Sequence, residues 1–179
     1  MKNILKSTLL VALGLSLFAS CSDDRDDNPT VVSPTEFHLN TPALAGQYLD
    51  LEKSKTINFT CSQPDYGFPA STQYTLQLAF DENMTDYKEI DQTFKGAKLD
   101  VSSELLASAL TNYALEHGKT EADFPMDIQV YARARAVMTN VSGEPVEGTE
   151  ILSNVVKLSN VHLLYSLPPV KTPGKLNIV

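Results

Sequence analysis

The chain has 179 residues, with 14 basic and 22 acidic side chains and a formal net charge of -8. An acidic chain with no basic stretch is repelled by nucleic acid and by anionic lipid surfaces, which argues against nucleic-acid binding. Two cysteines in all cannot build a disulfide framework, so the folded part must rest on an apolar core.

Lys2 and Lys6 precede an apolar run from Leu9 to Phe18, broken only by Gly14 and Ser16. Positive charge followed by a short apolar core is the pattern of a secretory signal peptide, and the run is about half of the roughly 20 residues that a spanning helix needs. Leu17-Phe18-Ala19-Ser20-Cys21 then sets small residues before a cysteine. This resembles a lipobox, which implies cleavage after residue 20 and a diacylglycerol on Cys21. Cleavage there removes Lys2 and Lys6 and leaves the remainder two charges more acidic. Next, Ser22-Asp23-Asp24-Arg25-Asp26-Asp27 carries four carboxylates in six residues, a run that stays solvated. An acidic run directly after a lipidated cysteine resembles the surface-export signal of Bacteroidota lipoproteins, which assigns Ser22, Asp23 and Asp24 to that signal. Residues 21–36, ending in a Pro- and Ser-containing stretch, read as a tether.

A folded domain is expected over residues 37–167. Ile57, Phe59 and Cys61 alternate with Thr56, Asn58 and Thr60, a strand with one buried face that makes Cys61 a small core residue. The stretch from Gln63 to Pro69 is rich in turn formers. Tyr74, Leu76, Leu78 and Phe80 then alternate in the cleanest strand of the chain, closed by the turn cluster Asp81-Glu82-Asn83. Weaker strands are expected at Lys88–Ile90 and Ala97–Val101. From 103 to 117 the period changes: Leu106, Ala109 or Leu110, and Tyr113 or Ala114 recur at helical spacing, with Ser102 or Ser103 as N-cap and Gly118 as stop. Tyr113 on this helix is expected to pack on the sheet.

From Asp127 to Met138 the apolar side chains fall on even positions, Ile128, Val130, Ala132, Ala134 and Ala136, while Arg133 and Arg135 share the other face. An Ala-lined face suits a strand packed closely on a partner sheet. The two arginines suit cross-strand pairing better than capture of an anionic sugar. A connection through Gly143, Pro145 and Gly148 leads to a last strand at about Ile151–Leu158. Six or seven short strands with one helix on a crossover give an all-β fold, an immunoglobulin-like or fibronectin III-like β-sandwich.

Catalytic signals are missing. His38, His117 and His162 are scattered, without metal-ligand spacing. No Gly-rich phosphate loop and no Gly-x-Ser-x-Gly elbow occurs, and no pair of carboxylates is singled out. The expectation is a protein that is not an enzyme and holds neither metal nor cofactor.

Phe37-His38-Leu39-Asn40-Thr41-Pro42, then Cys61-Ser62-Gln63-Pro64-Asp65-Tyr66-Gly67-Phe68 and Tyr74-Thr75-Leu76-Gln77-Leu78, resemble the N-terminal domain of SusE-type outer-membrane lipoproteins. The helix after Val101, the Arg133/Arg135 strand and Ser153-Asn154-Val155-Val156 fall in the same order. Cys61 stands where that pattern has tryptophan. The resemblance implies a surface role in polysaccharide uptake, beside a SusC/SusD-like transporter complex, with starch or a similar glycan as cargo. It also implies that the sugar sites lie in downstream modules and that this domain is mainly a spacer. Residues 168–179 fit a Pro-rich linker followed by the start of another domain, since Lys175–Val179 alternates like a strand without a partner.

The competing expectation is that this domain itself binds sugar, as a small lectin or adhesin. Pyranose rings stack on exposed aromatic faces, and Trp is absent. Tyr66 and Phe68 in the turn-rich loop are the aromatics nominated for such contact, unless they pin that loop to the domain.

Overall fold

A computed structural model describes residues 30–167. Eight strands and one α-helix follow in the order β1 (Tyr48–Asp50), β2 (Thr56–Thr60), β3 (Thr72–Ala79), β4 (Lys88–Phe94), β5 (Lys98–Ser102), α1 (Ser103–Glu116), β6 (Met126–Met138), β7 (Ile151–Leu152) and β8 (Val156–Leu163). The larger sheet runs β1-β8-β6-β3-β4, with β7 also on β6, and β2 and β5 form a second antiparallel pair. The fold is thus strand-rich with one crossover helix, as the alternation predicts.

The long β3–β6 pairing organises the larger sheet. It is antiparallel from Thr72 opposite Met138 to Ala79 opposite Tyr131. On one face of these strands Leu76, Leu78, Ala132, Ala134 and Ala136 are sealed from solvent, as are Ile57 and Phe59 of β2, Leu99 and Val101 of β5, and Leu106 and Leu110 of α1, all within one apolar cluster. The alanines of β6 matter because small side chains let facing layers approach closely. Each buried Leu, Ile or Phe here contributes about 1.5–3 kcal/mol relative to exposure.

The helix begins and ends as its sequence dictates. Ser102 is the N-cap and its hydroxyl accepts from the Leu105 N–H at 3.2 Å. At the other end Gly118 takes a positive φ of 82°. Lys119 N–H then donates to the Ala114 carbonyl and Gly118 N–H to the Leu115 carbonyl, so the last carbonyls are satisfied. Tyr113 is buried on the helix face, its ring 4.7 Å from that of Phe80.

The structure departs from the sequence reading at three places. The last strand does not run unbroken from Ile151 to Leu158: β7 stops at Leu152 and β8 starts at Val156. The intervening Ser153 and Asn154 turn to other partners. Ser153 Oγ accepts from Ala134 N–H, while the Asn154 amide bonds both the N–H and the carbonyl of Leu39, at 2.9 and 3.1 Å. One asparagine thereby ties residues 38–40, which flank β2 through Asn40 N–H to Thr60 O and Ser62 N–H to His38 O, to the other sheet. Secondly, β1 was not anticipated; it pairs parallel with β8, Leu49 opposite Val161. Thirdly, β4 is longer than Lys88–Ile90 and reaches Phe94, with an irregular register against β3.

Candidate functional site

Of the residues nominated from the sequence, Cys21, Ser22, Asp23 and Asp24 lie outside the described residues. The aromatic pair in the turn-rich loop does not form a platform. Tyr66 is only 1% exposed, so its ring offers no face for stacking. Its carbonyl accepts from Val32 N–H at 3.0 Å, and its buried hydroxyl has no hydrogen-bond partner among the described residues. Burial, with the nearby Tyr74 phenol, pushes the Tyr66 hydroxyl up to about 12. The physical reason for the correction is that the chain turns at this point, with Gly67 N–H bonded to Asp65 Oδ1 at 2.8 Å in an Asx turn, and the Tyr66 ring is buried instead of facing solvent. Phe68 is half-buried and lines a shallow depression with Gln63, Asp65 and Pro69. Cys61 is buried and its thiol is pushed up to about 11 by burial, the behaviour of a core residue.

The more developed surface is the outer face of the larger sheet, where β6 presents Gln129, Tyr131, Arg133 and Arg135 on alternate positions. Gln77 of β3 lies between Glu89 and Arg133 in register. Its amide nitrogen donates to Glu89 Oε1 at 2.8 Å and its oxygen accepts from Arg133 Nε at 2.6 Å. Glu89 Oε1 also accepts from Arg135 Nε at 2.9 Å, and Arg135 reaches Glu150 at 3.2 Å. Burial works against the Arg135 charge, but the bonds to Glu89 and Glu150 outweigh it and hold the guanidinium above its ordinary pKa. Cross-strand ion pairing is therefore what the geometry contains for Arg135, while Arg133 pairs across the strands only with the neutral Gln77 amide.

Two aromatic rings complete this face. The Arg133 guanidinium lies over the Tyr87 ring, 4.9 Å from its centre, and the Lys157 ammonium lies 5.7 Å from the centre of the Tyr131 ring. Lys157 and Tyr131 are direct partners across β6 and β8. At one end Tyr48 stacks on His162, whose Nδ1 is 2.6 Å from Asp127. Sequence reasoning nominated none of Tyr87, Tyr131 or Lys157. The alternation of β6 does put Tyr131 on the arginine face, so that signal was present; Tyr87 precedes β4 in a loop, where no period marks it. Among the described residues no three His, Cys, Asp or Glu side chains gather in a way that would hold a metal.

By itself the fold defines a β-rich domain with one crossover helix and a hydrogen-bonded polar sheet face. The comparison with known families goes further: the sequence model of the family described as SusE outer membrane protein matches residues 23–134, more than half of the chain, and the chain belongs to that family. The match starts at Asp23 and runs through β1 to the middle of β6. It places the protein among outer membrane proteins of Sus-like systems. No solved structure matches the chain.

Proposed function

We propose that this protein is a lipid-anchored, surface-facing lipoprotein of a polysaccharide capture and uptake system for a starch-like glycan, and that its β-rich domain is the N-terminal spacer. The observation that carries this reading is the family match, which begins two residues after Cys21 of the lipobox-like sequence. Cys21 takes the lipid, residues 1–20 are removed, and Ser22, Asp23 and Asp24 direct the protein to the cell surface. The domain is an immunoglobulin-like sandwich: β8-β6-β3 side by side, opposed by a separate β2–β5 pair, fit the G-F-C and B-E strand order of that architecture. It performs no chemistry and needs no cofactor. It holds glycan-binding modules away from the membrane, beside a SusC/SusD-like transporter complex.

Two experiments test the reading. Labelled palmitate should enter the wild-type protein and not the Cys21→Ser variant, and protease added to whole cells should remove the protein. Full protection from protease would sink the surface assignment. A deletion strain should grow more slowly on one polysaccharide and normally on its monosaccharide; equal growth on starch and on every other glycan tried would sink the uptake role.

A further inference from the structure

We propose that the outer face of the larger sheet, at Tyr87, Tyr131, Arg133 and Lys157, binds an anionic glycan through its carboxylate or sulfate groups. The inference rests on the glycan-capture reading for its context and goes beyond it, because it gives a sugar contact to a domain otherwise read as a spacer.

The argument starts from charge. The carboxylates on the strands of this sheet are mostly spoken for. Asp50 is paired with Lys53, Glu89 and Glu150, the latter just before β7, share the single charge of Arg135, and Asp127 lies 2.6 Å from His162 Nδ1. Asp91, in the irregular stretch of β4, has no salt-bridge partner among the described residues. On the cationic side Arg135 is neutralised twice over. Arg133 and Lys157 have no carboxylate partner among the described residues; each instead lies against a tyrosine ring. A chain with a net charge of -8 thus has two cations on adjacent strands of one face without a carboxylate partner among the described residues, Lys157 opposite Tyr131 and Arg133 two residues further along β6. An anion arriving there meets the attraction of these two cations, which is strongest for a group that reaches them directly.

The shape and chemistry of the face select a saccharide over an acidic protein. Protein interfaces are built around an apolar centre. Here Tyr48 of β1, Tyr87 in the loop before β4 and Leu152 of β7 are the exposed large apolar side chains, and with β1 and β4 at opposite edges of the sheet they are separated rather than pooled. Around Tyr131 the surroundings are hydrogen-bonding or charged: Gln129, Arg133 and Lys157. Isolated rings framed by amide and guanidinium groups are what pyranose C–H faces and hydroxyls require. Tyr131 and Arg133 stand two residues apart on one strand, about 7 Å along the sheet, a span on the scale of a sugar unit. Arg133 is also fixed in place before any ligand arrives, by Nε to Gln77 and by the Tyr87 ring, which lowers the entropic cost of capture.

The test is affinity electrophoresis of the whole mature chain, in detergent and at low salt, through gels containing polygalacturonate, chondroitin sulfate or neutral amylose. At least one polyanion should retard the protein, amylose should not, and the retardation should weaken as salt is raised. Polygalacturonate carries carboxylates alone and chondroitin sulfate carries both groups, so retardation by polygalacturonate identifies carboxylate as sufficient, and retardation by chondroitin sulfate alone shows that carboxylate by itself does not suffice. Lys157→Gln, on an exposed side chain that leaves the fold intact, should weaken binding about three- to fivefold, the scale of one surface charge pair. Arg133→Gln should weaken it further, and Lys95→Gln, an uncompensated cation elsewhere, should have no effect. No retardation by either polyanion, equal retardation by amylose, or full retention in Lys157→Gln would overturn the proposal. The first of these outcomes would leave an acidic protein surface as the partner to try. None of them touches the uptake role, which the deletion strain tests separately.

Discussion

At the centre of β3 the two faces are sealed to nearly the same degree and by opposite means. On the inner face Leu76 is fully buried, on the outer face Gln77 is 1% exposed, and the two residues are neighbours in sequence. Leu76 is enclosed by apolar shape, among the alanines of β6 and the side chains of the smaller sheet. Gln77 is enclosed by direction: each end of its amide meets a charged partner, Glu89 on one side and Arg133 on the other. Burial alone therefore does not reveal what a face is for. Around Leu76 the inner face is apolar, whereas the outer face keeps guanidinium, ammonium and phenol groups at its surface while satisfying the amide beneath them. A buried amide without such partners would cost more than it returned.

The largest effects should come from breaking the inner face. Leu76→Ala should lower unfolding free energy by about 2–5 kcal/mol, measured by urea denaturation, because the fixed backbone cannot collapse into the space left. Ala134→Leu should cost about 1–3 kcal/mol for the opposite reason, since it forces the facing layers apart. On the outer face Gln77→Ala should cost about 1–3 kcal/mol by removing the shared partner of Glu89 and Arg133. A cost near zero for Gln77→Ala would mean that water replaces the amide freely, and the contrast between the faces would fail.

How far this was legible in the sequence follows from the same contrast. Alternation reports which positions face a core, so β3, β6 and the Ala-lined face could be read from Leu76, Leu78 and Ala132 to Ala136. The helix was legible because Ser102 and Gly118 are local signals acting on their own neighbours. β1 was not, because Tyr48–Asp50 is too short for a period and is defined by a parallel partner more than 100 residues away. Nor was the break at Ser153 and Asn154, which depends on the distant backbone of Leu39. Tyr66 and Tyr87 show the limit for site residues. Both lie in loops, and loop composition says that the chain turns without saying which ring it turns over; one is enclosed and the other is 41% exposed.

Smaller effects belong to polar contacts at the surface, and they sharpen the contrast by showing what exposure takes away. Ser102→Ala removes the helix N-cap and should cost about 1 kcal/mol, read from the same denaturation curves. At the other end of the helix, His117 Nδ1 faces the Tyr113 carbonyl at 2.7 Å and Nε2 faces Asp86 at 2.8 Å. Both partners accept, so only the imidazolium can donate to both at once. The Tyr113 carbonyl, then Asp86, accordingly raises the His117 pKa above its ordinary 6.5, and the negative end of the helix favours the same charge. A pKa raised in the folded state gives stability that is complete below about 6.5 and is lost as pH climbs through the raised value. The contribution should be slight, because the ring is exposed and solvent screens it. NMR titration of the His117 ring should show the raised midpoint. Asp86→Asn should lower that midpoint only part of the way, because the Tyr113 carbonyl remains. A midpoint at or below 6.5 in the wild type would mean that neither acceptor holds the charge, leaving the backbone bonds of His117, Gly118 and Lys119 to close this end of the helix.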